Sequence, residues 1–336
     1  MSRGPSTCAI CGAVFAPSDR FCENCGTILS AVGLVAVPAV AKRPSGPCAD
    51  CGGETYVDEY CAACGHRRTA PDRDRADLEG IVLISDRGRD HLGNEDAAAA
   101  GTLGCGHARA TAVAVCDGVS ASTAAHTAAR SASTAGVDAM LKALAAQRTP
   151  ESVLLAGLSG AAEAAAAVGA GSSDPATAAA CTYAAAAVVP GTAGTVQIAV
   201  GSVGDSRVYW IPDGPAPAQC LTVDDSLAQE LITAGVPADS DAVQSGAHTL
   251  TRWLGADAGA TPWSESSVRT ITTAQRGVLV LCTDGLWNYL PDPDGIAGVC
   301  AGRDAGAAAT ELVDYALRAG GQDNITVAVV PIGDPS

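Results

Sequence analysis

The chain has 336 residues, 48 % of them hydrophobic, enough for a large packed core in one or two domains. Its formal net charge is −16: residues 78–336 carry 27 acidic against 12 basic side chains, while residues 1–77 are nearly balanced at 9 against 8. A body this acidic repels nucleic-acid phosphates and anionic membrane surfaces, and a cation-binding enzyme is the compatible class.

Eight of the fourteen cysteines lie in the first 64 residues as four CxxC pairs: Cys8 and Cys11, Cys22 and Cys25, Cys48 and Cys51, Cys61 and Cys64. Each pair offers two thiolates from one tight turn, and two turns roughly ten residues apart close a tetrahedral Zn2+ site. Two structural Zn2+ ions are expected, in zinc ribbons at 1–30 and 45–66, where the metal replaces a core that such short segments cannot build. Glycines at 12, 26, 52 and 65 would supply the positive φ of the knuckles. His66 reads as a solvated neighbour of Cys64. The pair resembles the double zinc ribbons at the ends of many bacterial regulatory proteins, a resemblance that names no partner and leaves docking to a protein partner open beside the structural role. Nucleic acid is not expected, because the only aromatic residues before 78 are Phe15, Phe21, Tyr56 and Tyr60 and there is no basic stripe.

Between the ribbons, ILSAVGLVAVPAVA at 28–41 is too short for a membrane span and reads as a linker or a packed strand. No run reaches the length of a span, so a cytoplasmic protein with no membrane insertion and no cleaved leader is expected. The charged stretch HRRTAPDRDRAD at 66–77 reads as solvated, which places a linker at 67–78 and the main domain at 79–332. Within that domain, strands are expected at 80–85, 111–116, 195–203, 207–211, 268–272, 277–283 and 325–331. Helices are expected at 121–146, 151–168, 225–234 and 305–319. Adjacent clusters of strands disfavour a doubly wound parallel sheet, and an α+β arrangement of antiparallel sheets with flanking helices is preferred. Residues 169–177 and 212–217 read as loops, and 235–249 as either a mobile flap or a surface loop. The cysteines at 105, 116, 181, 220, 282 and 300 show no ligand spacing and read as small core residues.

Five pieces of the body carry chemistry: SDRGRDHLGNEDA at 85–97, VCDGVS at 115–120, SVGDSRVYW at 202–210, CTDGLW at 282–287 and GGQDNITVAVV at 320–330. Most set an Asp beside Gly or Asn at the end or start of a strand. Carboxylates from several strands suit hard divalent ions such as Mg2+ and Mn2+, and two such ions can clamp a phosphoryl group. A single Asp-Gly is also a common turn, so the order of the pieces matters more than any one of them. With LTVDDSL at 221–227 and LTRWLG at 250–255, that order resembles the metal-dependent serine/threonine protein phosphatases, the PPM family, over 79–331.

The resemblance implies a four-layer α-β-β-α sandwich with two central antiparallel sheets. It implies two Mn2+ or Mg2+ ions held by Asp96, Asp117 with the Gly118 carbonyl, Asp284 and Asp323, with Glu95 in the outer sphere. Asp205 and Arg207 would brace the sheet near the site, and Asn324 would orient Asp323. It further implies that a metal-bridged hydroxide attacks phosphoserine or phosphothreonine in phosphorylated proteins, such as the substrates of serine/threonine kinases. The chain departs from the family at the usual phosphate-binding arginine, which is His91 here; His91 or the nearby Arg89 is expected to meet substrate phosphate. Ser120 and Ser122 replace a glycine-rich turn and are expected to cap the following helix. Thr182 alone remains of the family's GTT-like strand opening, and Asp174 is the candidate for a third ion. The alternative reading is a noncatalytic phosphoprotein-binding regulator with the same fold.

Overall fold

The computed structural model describes residues 6–7, 13–15, 24, 32–38, 47–48, 50–57, 60–65, 73–104, 109–119, 124–170, 178–259, 261–264 and 267–333. Cys8, Cys11, Cys22, Cys25, Cys105, Ser120, Ser122 and Asp174 lie outside the described residues. The amino-terminal third contains β1 (Ser6–Thr7), β2 (Val14–Phe15), β3 (Val32–Val37), β4 (Tyr56–Val57), β5 (Tyr60–Cys61), β6 (Arg73–Leu78), β7 (Ile81–Asp86), β8 (Ala97–Leu103) and β9 (Ala110–Cys116). Two helices follow, α1 (Ala125–Ala145) and α2 (Pro150–Gly169), then β10 (Ala180–Cys181), β11 (Tyr183–Pro190), β12 (Val196–Val203), β13 (Arg207–Pro212) and β14 (Gln219–Cys220). The rest comprises α3 (Leu227–Thr233), α4 (Asp241–Ser245), β15 (Leu254–Gly255), β16 (Val268–Thr273), β17 (Gly277–Cys282), α5 (Asp284–Trp287), α6 (Pro293–Cys300), α7 (Ala305–Ala319) and β18 (Ile325–Ile332).

Two six-stranded antiparallel sheets dominate, ordered β16-β12-β11-β9-β8-β3 and β14-β13-β17-β18-β7-β6. Their facing sides bury one apolar layer, which includes Leu83, Val113, Val115, Ile198, Leu279 and Leu281. The outer side of the first sheet is covered by α1 and α2, and that of the second by α5, α6 and α7. The helix–sheet–sheet–helix order is the layered arrangement expected for an antiparallel α+β sandwich.

Alanine sets the spacing of the first half. Ala99, Ala185 and Ala187 point to the helix side, and their neighbours Ala98, Ala100, Ala184 and Ala186 point between the sheets. All seven are fully buried, so tertiary packing overrides alanine's helical preference. Small side chains let the helices approach closely: a Cβ on Gly101 would lie 2.6 Å from Leu141 Cδ1, and one on Gly136 would lie 2.3 Å from the Tyr183 hydroxyl.

Three expectations change. Residues 73–78, assigned to a linker, form edge strand β6, because Arg73 pairs with Asp86 and Asp314 at 2.8 Å each while Leu78 and Ala76 turn toward the core. Within the 28–41 stretch, residues 32–37 take the strand alternative: β3 pairs with β8 from Val32↔Leu103 to Val37↔Ala98 and buries Val37. A span-length apolar helix was not expected, yet the 20-residue α2 reaches a mean hydropathy of 1.5 and is long and apolar enough to cross a membrane. Its alanines and glycines instead line the α1 and first-sheet contact, with Val153, Leu154 and Leu158 fully buried.

Candidate metal centre

Strand register gathers the candidate carboxylates at one end of the sandwich. Ala97 of β8 pairs with Cys116 of β9, which leaves Asp96 and Asp117 as the next residues at the same end of the first sheet. In the second sheet, β17 runs directly into Thr283 and Asp284, and Asp323 lies just before β18. Thr283 joins the two halves: its hydroxyl donates to Asp96 Oδ2 at 2.8 Å and accepts the Thr326 N–H at 3.0 Å.

Close backbone approach explains why glycine follows Asp284. A Cβ on Gly285 would sit 1.9 Å from the Asn324 carbonyl oxygen, so a side chain there would push α5 away from the start of β18. Gly88 meets the same strand start from the other side. Its φ is +70°, and a Cβ would lie 2.0 Å from the Asp323 carbonyl oxygen.

The electrostatics describe a centre in need of positive charge. Asp96 is 1 % exposed, and burial, with Asp284 and Asp323 nearby, pushes its carboxyl up to about 8. Asp117 is driven well above the carboxylate range by burial and by Asp96, Asp284, Asp205 and Asp323. Asp205, 5 % exposed, is raised to about 7 by burial and Asp284, and Asp323 is raised by burial and Asp284. Asp96 Oδ1 and Asp284 Oδ1 are buried without a hydrogen-bond partner. Buried acceptor oxygens without donors, within a group of mutually repelling carboxylates, fit hard divalent cations. Among the described residues these carboxylates do not close into a set of ligand atoms all within 4.8 Å, as the Cys48 thiol group does; an oxygen centre spread over two ions is the wider arrangement.

The remaining expected residues divide. The Asp117 N–H donates to Thr182 Oγ1 at 2.9 Å, and Gly118 bridges to Cys181. Glu95 is half-buried at the rim and donates its N–H to Asn324 Oδ1 at 2.7 Å. The Asn324 amide donates to the carbonyls of Arg87 and Gly93, and its N–H donates to Asp323 Oδ1 at 2.7 Å. His91 Nε2 lies 3.1 Å from Asp323 Oδ1, and the Arg87 guanidinium donates to the His91 carbonyl. Arg89 is exposed and donates its N–H to the Gly321 carbonyl at 2.7 Å. Arg207 forks onto Asp224 rather than Asp205, at 2.7 Å for Nη2, while the Asp205 carboxylate joins the acidic group and its backbone carbonyl accepts the Trp287 indole N–H at 2.8 Å. Helix α1 has Ala124 at its N-cap with no side-chain cap hydrogen bond. Cys116, Cys181, Cys282 and Cys300 are buried free thiols, and Cys220 is half-buried.

Sequence reasoning missed His248. The patternless 235–249 segment contains α4, and the Leu227 N–H to Thr249 carbonyl hydrogen bond (2.8 Å) and the Ser226↔Leu250 bridge draw it back toward the site. His248 stacks on Trp287 with ring centroids 6.1 Å apart and planes at 7°, and its Nδ1 lies 3.7 Å from Asp284 Oδ2. Interaction with Asp284 raises the imidazole above its ordinary range. No local signal marked this residue.

A second metal-type cluster lies upstream. The sulfurs of Cys48, Cys51, Cys61 and Cys64 all lie within 4.8 Å of one another, with Cys48 to Cys64 at 3.6 Å and Cys51 to Cys61 at 3.5 Å. Four thiolates at Zn–S distances of about 2.3 Å would stand roughly 3.8 Å apart in a tetrahedron, so the set fits Zn2+. The Cys51 N–H hydrogen bond is the main influence that lowers the Cys48 thiol to about 6, favouring the thiolate a metal requires. Gly52 and Gly65 take φ of +71° and +75°, as the knuckles demand.

The protein phosphatase 2C family profile matches residues 252–325. Serine/threonine phosphatase stp of Listeria welshimeri is 30 % identical over 135 residues, 40 % of this chain and 51 % of the relative. The chain thus spans about half the length of the curated relatives it matches. Among solved structures, the PPM Ser-Thr phosphatase MsPP from Mycobacterium smegmatis, in complex with cacodylate, is 28 % identical, with a TM-score of 0.54 over 77 % of this chain and 100 % of that one. Serine/threonine phosphatase Stp1 from Staphylococcus aureus is 21 % identical with a TM-score of 0.58, over 76 % and 96 %. The catalytic domain of serine threonine protein phosphatase PstP, solved in complex with 2 manganese ions, is 23 % identical with a TM-score of 0.53, over 76 % and 98 %. The fold is that of the PPM serine/threonine phosphatases.

Proposed function

We propose that this chain hydrolyses phosphoserine and phosphothreonine esters in proteins at a binuclear Mn2+ or Mg2+ centre. The observation that carries the reading is the gathering of Asp96, Asp117, Asp284 and Asp323 at the strand ends of both sheets, with two buried carboxylate oxygens lacking any donor. Asp96, Asp117, the Gly118 carbonyl, Asp284 and Asp323 would hold the cations, with Glu95 at their outer sphere. Bound there, the ions supply charge neutralisation at the phosphoryl oxygens and a more acidic attacking water. Thr283 fixes the Asp96 carboxylate through its hydroxyl. Asn324 ties the 87–95 loop, and with it His91 and Arg89, to the start of β18. His91 or Arg89 would receive substrate phosphate.

The amino-terminal ribbons are proposed at 1–30 and 45–66, each with one structural Zn2+, and the phosphatase body at 79–332 with β3 and β6 contributed to its sheets. Phosphorylated kinase substrates, a protein partner for the ribbons and a cytoplasmic location complete the reading. The test is phosphate release from a phosphothreonine peptide with added Mn2+ or Mg2+, beside an Asp284→Asn control. Metal-dependent turnover lost in the control is expected. A folded protein that binds Mn2+ yet releases no phosphate from several peptides overturns catalysis in favour of a phosphoprotein-binding regulator.

A further inference from the structure

We propose that His248 is a phosphate-binding residue of the same site, delivered by the 235–249 segment; this rests on the phosphatase reading above. An acidic centre must offset its own field before a phosphate dianion can settle, and hydrogen-bond donors on the rim add to what the cations supply. Apart from the exposed Arg89 named above, the cations nearby are already committed. Arg207 forks onto Asp224 through Nε and Nη2, and Arg252 pairs with Asp225 at 2.7 Å. The Arg87 guanidinium is turned to the His91 carbonyl, and the His91 ring is held at 3.1 Å by Asp323.

His248 differs in three ways. Its side chain is 62 % exposed beside a centre in which Asp96 and Asp205 are buried and Asp284 is half-buried. Its Nδ1 stands 3.7 Å from Asp284 Oδ2, longer than a hydrogen bond, and its Nε2 makes no hydrogen bond among the described residues, which leaves that nitrogen for a ligand. Its position is nevertheless fixed. The ring lies parallel to Trp287, which is itself anchored by its indole hydrogen bond to the Asp205 backbone carbonyl and by the Arg207 guanidinium 3.8 Å from its ring centroid. The backbone on either side is pinned by the Ala228 N–H to the Gly246 carbonyl (3.2 Å) and the Leu227 N–H to the Thr249 carbonyl (2.8 Å). An exposed donor held at an anion site without reorganisation is what transition-state stabilisation requires.

The full chain, loaded with Mn2+, is compared with His248→Ala and His248→Gln using p-nitrophenyl phosphate, a phosphothreonine peptide and inorganic phosphate, with Mn2+ affinity measured calorimetrically. Removing a donor to a charged oxygen predicts a loss in kcat/KM of about 10- to 100-fold for both esters and a comparable weakening of inorganic phosphate binding. Mn2+ affinity should stay within about twofold, and His248→Gln, which retains an N–H donor, should recover part of the loss. Unchanged phosphate binding in His248→Ala overturns the proposal. So does a parallel fall in Mn2+ affinity, which would make His248 a support of Asp284, and so does a loss confined to the peptide, which would move the contact off the phosphoryl group. Absence of turnover in the unsubstituted chain would defeat the phosphatase reading alone, since phosphate titration still decides His248.

Discussion

Substituting Asp96→Asn should abolish metal-dependent turnover and, in protein dialysed free of Mn2+ and Mg2+, make the fold more stable. The Asp96 carboxyl is raised from 3.8 to about 8 in the folded chain, so protons bind the native state more tightly than the unfolded one. That contribution is complete below about pH 4 and is lost as pH rises through about 8, so the metal-free chain should weaken over this window. At roughly 1.36 kcal/mol per unit, the whole shift amounts to about 5 kcal/mol at pH 8. Asparagine keeps an acceptor for the Thr283 hydroxyl but places an amide N–H2 or oxygen where Asp96 Oδ1 now has no partner, at about 1 to 3 kcal/mol. The net gain is about 2 to 4 kcal/mol, or a rise of roughly 5 to 10 °C in Tm for a domain of this size. Thermal unfolding at pH 5 and pH 8, with and without Mn2+, reads all of this. The parent chain should gain Tm on Mn2+ addition through mass action, and the variant should gain little. A variant that melts below the parent at pH 8 without metal, or whose pH dependence is equally steep, would refute the view that burying the ionised Asp96 carboxylate destabilises the metal-free centre.

Two further outcomes follow from local geometry. Gly285→Ala should destabilise by more than about 3 kcal/mol, because its Cβ would lie 1.9 Å from a backbone oxygen that belongs to the core. The control Gly298→Ala, in α6 with nothing within 4 Å of the added carbon, should stabilise by about 0.4 to 1 kcal/mol; equal effects in a urea titration would sink the close-approach account. Cys61→Ser should remove one Zn2+ per chain and strip amide protection from residues 48–65, read by metal analysis and hydrogen exchange; undiminished zinc content would exclude the four-thiolate site.

Legibility in the sequence followed the side chains. The strands over 81–86, 110–116, 207–212, 277–282 and 325–332 are carried by Val, Ile, Thr and, in 81–86 and 277–282, Leu, and they stood out as apolar runs. β8 and β11 did not, because AAAAG and YAAAA read locally as helix or as nothing; their strand state is imposed by close helices on one face and a second sheet on the other. β6 was hidden by its charges. Arg73, Asp74, Arg75 and Asp77 look solvated until Asp86 and Asp314 are brought alongside Arg73 by β7 and α7.

The same distinction separates the floor of the site from its rim. Each carboxylate of the floor sits within three residues of a strand end, and the adjoining glycine at 285 is required by a backbone oxygen that lies beside it. Strand, acid and glycine are therefore contiguous in the chain, and a short word carries the chemistry. The rim is assembled differently. His248 reaches Asp284 only because residues 246–251 return across the start of α3, and it stays there because Trp287, thirty-nine positions later, offers its face. No spacing within 235–249 encodes that meeting, since it depends on packing between segments distant in sequence. Changes at the rim can thus alter what the centre accepts while leaving every word of the floor intact, and His91 and His248 occupy the positions where such changes act.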